Sequence, residues 1–146
     1  MASDVYNSFL GRIIGDAAVV GTAIALEADT IKMSLHTSTY TPDIDADEFY
    51  DDVDNEVGAS GTYSAGGATL TVACSTDDTD DEGVFDATDV SFTSASITAR
   101  YAIIYKSTGT ASTSPLVLYI DFGSNVTSTA GTFSVVFAAE GILNIG

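Results

Sequence analysis

Basic residues are scarce in this sequence. Four Lys and Arg stand against 21 Asp and Glu, which gives a formal net charge of −17 at pH 7. A protein that binds nucleic acid needs Lys and Arg to displace counterions from the phosphates, and anionic membrane faces attract basic segments rather than acidic ones. We therefore expect no nucleic-acid partner and no membrane partner, and a large partner surface should be neutral or basic.

Cysteine and long apolar runs are also rare. Cys74 is the only cysteine, so a disulfide within the chain is excluded. Cys74 continues an alternation with Leu70 and Val72, which predicts a small apolar side chain on the inner face of a strand. The sequence has no run of about 18 apolar residues, and its opening residues lack the positive region of a signal peptide. The chain is therefore expected to be made in a cytoplasm and to stay soluble.

Two apolar, aromatic-rich runs at residues 97–105 and 116–122 flank a polar loop. Ile, Val, Tyr and Phe dominate both runs, and these side chains fit a pleated, half-buried surface. Ile120 and Phe122 share one face of the second run. The first run, which includes Ile103, has apolar side chains on both faces, as is typical of a strand inside a sandwich or at an interface. These runs are predicted to be the central strands.

The N-terminal segment has the only helical pattern. Val5, Phe9 and Ile13 recur at four-residue spacing and predict a helix over residues 1–15, with Ser3 or Asp4 as its N-cap. The rest of the chain predicts strands, a mobile or extended loop at 56–67 and a polar turn at 123–131. Besides the central pair, the predicted strands cover residues 17–26, 30–36, 68–74, 84–85, 90–92, 132–137 and 142–145.

About seven to nine short strands at regular spacing are typical of an antiparallel β-sandwich or barrel. The predicted fold is therefore mainly β: a single-domain sandwich or barrel of jelly-roll or Ig-like type with a short N-terminal helix. The domain spans residues 1–146. Within it, residues 1–15 form the helix or arm and residues 16–146 form the sandwich.

Few residues suggest chemistry. His36 is the only histidine and is predicted to face solvent from its strand. Asp43, Asp45 and Asp47 have the alternating carboxylates that begin a calcium loop, but Glu48 stands where the EF-hand pattern requires glycine. They are kept as calcium candidates beside the alternative of a solvated acidic loop. No catalytic residue, cofactor or firm metal site is predicted.

The acidic run at residues 77–82 is the most crowded part of the sequence, with five carboxylates in six residues. Such crowding repels itself unless water or cations surround it. The run is predicted to be a solvated turn between strands, with cation binding as the alternative.

Several sequence blocks together carry a resemblance to one group of proteins. They are TIKMSLHTSTYTPD from Thr30, FYDDV from Phe49, YSAGGATL from Tyr63, YAIIYKSTG from Tyr101, STSPL from Ser112 and YIDFG from Tyr119. The chain from about residue 30 to 143 resembles small virion structural proteins of tailed bacteriophages. The resemblance implies a structural protein of the virion and brings no catalytic residue and no cofactor.

The charge favours a place within the virion that the resemblance implies. An acidic surface is unsuited to the inner capsid wall, where DNA crowds the protein, and is tolerated outside. The prediction is an outer-capsid decoration, or cement, protein, made in the host bacterial cytoplasm, that bridges subunits of the major capsid protein. A homo-oligomer is expected, with a trimer favoured. The candidate contact residues are Tyr6, Phe9, Leu10, Arg12, Tyr40, Phe49, Tyr50 and Tyr63.

Two other functions stay open at this point. One is a tail, neck or fibre component that contacts the host surface. The other is a virion-bound hydrolase with paired carboxylates, which the sequence disfavours because its acidic residues cluster in turn-like stretches. A general acid needs a carboxyl group in an apolar pocket. The sequence therefore predicts a protein that is not an enzyme.

Overall fold

The computed structural model describes residues 2–15 and 23–146, which form eight strands, one α-helix and two 3-10 turns. The 3-10 turns cover Tyr50–Asp52 and Ala111–Thr113. The larger elements are β1 (Ala2–Val5), α1 (Asn7–Ile14), β2 (Ile31–His36), β3 (Ala68–Thr69), β4 (Val72–Asp77), β5 (Glu82–Ala87), β6 (Val90–Lys106), β7 (Leu116–Val135) and β8 (Leu143–Ile145).

The strands form two antiparallel sheets, as a β-sandwich requires. The larger sheet has the order β1-β7-β6-β2-β3 and the smaller has the order β4-β5-β8. The predicted mainly β architecture with a short N-terminal helix is confirmed. No described helix is long and apolar enough to span a membrane.

β6 and β7 are the central strands, as predicted, but both are longer than the apolar runs. They pair from Val90 opposite Val135 to Tyr105 opposite Leu116. The predicted polar turn at 123–131 is wrong, because these Ser, Thr and Gly residues continue β7. Gly123 has a φ of 82°, and the register shifts beside it, so a bulge carries the strand past this point.

Apolar residues are buried on both faces of the larger sheet. The main core fills the space between the sheets and includes Leu35, Phe92, Ile104 and Phe133. A second cluster on the opposite face lies against the loop at residues 37–56 and includes Ile103, which has no exposed surface. Burial on both faces confirms the pattern predicted for the first central run.

The N-terminal segment differs from the predicted continuous helix. Residues 2–5 are strand β1, which pairs with β7 from Ala2 opposite Asp121 to Val5 opposite Leu118. The predicted caps at Ser3 and Asp4 are therefore wrong, because α1 begins after Tyr6, which has extended backbone. Gly15 ends the helix with a φ of 77°, as its position predicted.

The predicted strand at residues 17–26 has no counterpart in the described part. Residues 17–22 lie outside the described residues, and residues 23–26 contain no strand. The predicted inner position of Cys74 is also wrong, because this side chain is exposed. β4 is an edge strand, so the core covers Phe85 on the neighbouring strand and leaves Cys74 at the rim.

Candidate functional site

The loop at residues 37–56 covers the outer face of the larger sheet with hydrogen-bonded tyrosines. The hydroxyls of Tyr6 and Tyr40 are 2.9 Å apart, and the Tyr40 hydroxyl donates to Oδ2 of Asp47 at 2.7 Å. Burial raises the pKa of both tyrosines, so both are neutral at physiological pH. Tyr6 and Tyr40 were predicted to contact a partner, and in this chain both are buried.

The three calcium candidates organise this loop. Oδ1 of Asp43 accepts from the backbone N–H groups of Asp45 and Ala46, at 3.1 Å each. Oδ1 of Asp45 accepts from the Asn7 side-chain amide at 2.5 Å. Asp47 accepts from Tyr40 and from the backbone N–H of Asp43. Among the described residues no group of three or more His, Cys, Asp or Glu is placed to hold a metal ion.

His36 is fully buried, so its predicted solvent-side position is wrong. The loop that follows β2 folds back over this face of the sheet and covers the imidazole. Its Nδ1 lies 2.8 Å from the carbonyl oxygen of Asp54, and its Nε2 lies 2.9 Å from Oγ of Ser34. A neutral imidazole fits these partners, with Nδ1–H donating and Nε2 accepting. Burial lowers the pKa of His36, which keeps the ring neutral.

Ser34 and His36 have the hydrogen bond of a nucleophile and its base, but their setting is structural. Both residues have no exposed surface, so a substrate has no access to the hydroxyl. The group at Nδ1 is a backbone carbonyl, whereas a catalytic triad places a carboxylate there. The pair therefore completes the polar contacts of a covered strand.

The predicted mobile loop at 56–67 is held in place by Tyr63. The Tyr63 hydroxyl donates to Oε1 of Glu56 at 2.7 Å and accepts from the backbone N–H of Leu35 at 3.0 Å. Glu56 also accepts from the backbone N–H of Gly66 at 2.7 Å. Tyr63, another predicted contact residue, is thus a buried anchor with 2% of its surface exposed.

A polar groove of about 360 Å³ opens beside this anchor. The ring of Tyr50 stacks on Tyr105 with centroids 4.0 Å apart, and the Tyr105 hydroxyl donates to the carbonyl oxygen of Gly66 at 2.8 Å. Burial raises the pKa of Tyr105 to about 12. Lys32 and Ser107 also line the groove. It offers hydroxyl groups and one ammonium group, a combination that suits a small polar ligand.

The surface of α1 is apolar. Leu10, Ile13 and Ile14 are 43%, 39% and 80% exposed, while Phe9 on the same helix is fully buried in the main core. Leu10 was a predicted contact residue, whereas sequence reasoning missed Ile13 and Ile14. The signal was present, because positions 10, 13 and 14 have the spacing of one helix face.

Arg12 holds the other side of α1 against the covering loop. Its guanidinium lies over the ring of Phe49, 4.9 Å from the centroid, and only 7% of the residue is exposed. Its three side-chain nitrogens have no hydrogen-bond acceptor within the described ranges. Burial lowers the pKa of Arg12. Of the predicted contact residues, Arg12 is buried and Phe49 and Tyr50 are half-buried.

The acidic run at 77–82 forms the turn between β4 and β5, as predicted. Oδ1 of Asp77 accepts from the backbone N–H of Thr79 at 2.8 Å. A cleft of about 490 Å³ lies beside the turn and has mostly carboxylates in its wall, among them Asp78, Asp80 and Glu140. The cleft adds to the anionic character of this end of the molecule.

The surface thus combines acidic loops, one polar groove and an apolar helix face. A scan against protein-family models, a search of the curated proteins and a search of the solved structures each found no match. The possible functions are therefore argued from the chain's own residues. Three of its four basic residues are engaged: Arg100 pairs with Asp121, Lys106 pairs with Asp29 at 2.9 Å, and Arg12 lies over Phe49.

Proposed function

We propose that this protein is a structural component of a bacteriophage virion that decorates the outer capsid and stabilises contacts between major capsid protein subunits. The observation that carries the proposal is the apolar face of α1, formed by Leu10, Ile13 and Ile14, on a strongly acidic molecule. An exposed apolar patch with a polar border marks a docking surface. The resemblance of the sequence blocks to virion structural proteins supports the same function.

The α1 face is held rigidly enough to act as a docking surface. Phe9 anchors the helix in the main core, and Arg12 fixes its other side on Phe49. β1, which precedes the helix, is hydrogen-bonded to β7 at the edge of the larger sheet. A surface that is already ordered loses little conformational entropy when a partner binds.

The charge of the molecule selects the partner surface. A net charge of −17 repels DNA and other acidic surfaces and favours a neutral or basic region of the capsid protein. A stable contact needs about 1,000 Å² or more of total buried area. Repeated sites on a capsid lattice let several modest contacts act together, especially for a homo-oligomer.

The polar groove supports a second candidate function, a tail, neck or fibre component that contacts the host surface. Its hydroxyl groups and the Lys32 ammonium suit a short glycan, although the faces of Tyr50 and Tyr105 are stacked on each other. Binding to tails or cell-surface glycans, with bare capsids, would favour this function over decoration.

Co-sedimentation tests the proposed docking face. Purified protein is mixed with DNA-filled particles that lack it, and the fraction that pellets is measured over a range of concentrations. We expect Ile14→Asp to weaken binding at least about tenfold, because it places a charge within an apolar contact. The matched control is Ile145→Asp, at an apolar residue that is 48% exposed on β8.

Each outcome has a clear meaning. Loss of binding with Ile14→Asp and normal binding with Ile145→Asp supports the α1 face. Equal binding of both variants contradicts the assignment of that face, and no binding of the unmodified protein contradicts the decoration function. Unchanged melting temperatures show that the variants are folded.

A further inference from the structure

The distal halves of β6 and β7, residues 90–99 and 126–135, form a two-stranded segment that we name the ribbon. The ribbon has no charged residue, and the uncharged stretch of β7 extends from Phe122 to Ala139. Its outer face has small hydroxyl side chains, with Ser91 and Ser134 3.1 Å apart and Thr98 and Thr127 3.0 Å apart. In a molecule with a charge of −17, this surface offers a second acidic molecule little repulsion.

The two edges of the ribbon are treated differently by the fold. The β6 edge is covered by a loop, since the carbonyl oxygen of Thr93 accepts from the backbone N–H of Thr62 at 3.0 Å and the N–H of Ser96 donates to Oγ of Ser60 at 2.8 Å. The β7 edge is paired with β1 only up to Asp121. Beyond it, no described strand or loop pairs with the open edge of residues 126–135.

An apolar groove lies beside this open edge. It has a volume of about 330 Å³ and is lined by Phe122, Val126, Phe133, Ser134 and Val136. Val126 and Val136 are 40% and 61% exposed, and the rings of Phe122 and Phe133 lie 6.2 Å apart between them. The groove therefore combines unpaired backbone groups with exposed apolar side chains, which are the requirements for adding a strand.

We propose that the occupant of this groove and edge is a second copy of the same chain. An open antiparallel edge is complementary to itself across a twofold axis, so one surface supplies both halves of the contact. The charge favours the same arrangement, because the ribbon is an uncharged region through which two acidic molecules can approach. Pairing needs less than a tenth of the 7182 Å² surface from each copy to reach a stable interface.

The irregularities of β7 define where the strands pair. Ala130 has a φ of 45°, and the register shifts between Ser128 and Gly131, so a bulge divides the open edge. The run from Thr132 to Val135 is regular and lies beside the groove. The geometry therefore points to antiparallel pairing of this run with its counterpart, with Val136 of each copy beside the groove of the other.

The oligomeric state of the purified protein, measured without capsids, tests this inference independently of the proposed function. Sedimentation equilibrium over a wide concentration range is expected to show a monomer–dimer equilibrium. Val136→Lys is expected to raise the dimer dissociation constant at least tenfold, whereas Ile145→Lys, which changes the net charge equally at another exposed apolar residue, leaves it unchanged. Hydrogen exchange is expected to slow at residues 132–135 on dimerisation.

A protein that stays monomeric at every concentration overturns the inference. So does a trimer, because a twofold contact closes at two copies. A dimer that both lysine variants weaken equally, or neither weakens, also overturns it, because the contact then lies elsewhere. Thermal unfolding of each variant shows that the effect is on assembly and not on folding.

Discussion

At the scale of single residues, polar side chains decide how the outer face of the larger sheet is covered. His36 was predicted to face solvent because alternation along a strand marks two faces without showing what lies against either of them. The loop at 37–56 covers that face, and its tyrosines and carboxylates form the cover. Sequence spacing identified the strand but not the loop that folds back on it.

His36 makes stability depend on pH near neutrality. Burial lowers its pKa in the folded state, so the unfolded chain binds the proton more readily and stability falls as pH drops below the unfolded value of about 6.5. His36→Gln removes this titration and leaves the carboxylates in place. Urea unfolding at several pH values is expected to show the unmodified protein losing stability relative to His36→Gln from about pH 7 downwards. A difference that does not change with pH contradicts a buried neutral His36.

At the scale of elements, the central strands were predictable and their full length was not. The apolar runs at 97–105 and 116–122 have side chains with high strand propensity, and the structure places them together. The distal half of β7 is rich in Ser, Thr and Gly, residues that local patterns assign to turns. It forms a strand because β6 lies beside it and supplies hydrogen-bond partners, and bulges at Gly123 and Ala130 absorb the extra residues.

The N-terminal segment shows the same limit. The helical spacing of apolar residues was real, and α1 forms over Asn7–Ile14. Residues 2–5 join the sheet instead, because β7 offers them an edge. Pairing with a strand more than a hundred residues away has no signal in the local sequence.

The turn before β3 depends on a glycine with no room for a side chain. Gly67 has a φ of 71°, and a Cβ at this position would lie 1.8 Å from the carbonyl oxygen of Met33. Gly109 has a φ of 88° with nothing within 4 Å of the Cβ position, so it is a matched control. We expect Gly109→Ala to cost about 1 kcal/mol through backbone strain alone. Gly67→Ala should cost clearly more, as measured by urea unfolding, and equal losses would contradict the close approach of Gly67 to β2.

At the scale of the whole molecule, the acidic residues are concentrated in a few loops. Eight of the 21 Asp and Glu lie between residues 43 and 56, and seven lie between residues 77 and 89. The first group covers the outer face of the larger sheet, and the second forms the turn between β4 and β5 and the segment that leads to β6. This distribution leaves the α1 face and the ribbon available for contacts with little charge repulsion. Composition predicted the acidity, but only the fold shows where the uncharged surfaces lie.

The concentrated charge predicts a general response to salt and no special response to calcium. Added salt screens the repulsion between carboxylates and should raise the melting temperature. Calcium and magnesium at equal ionic strength are expected to give the same melting temperature, because the side chains of Asp43, Asp45 and Asp47 are hydrogen-bonded within their loop. A large rise specific to calcium would show a bound ion, since a ligand stabilises the state that binds it.

Electron microscopy of capsids mixed with this protein tests the central claim most directly. DNA-filled particles that lack the protein are incubated with the purified chain, imaged and compared with untreated particles. We predict regular added density at symmetric positions on the outer capsid lattice, together with better survival of the particles on heating. Clean capsids, or density confined to the tail or neck, would contradict the decoration function.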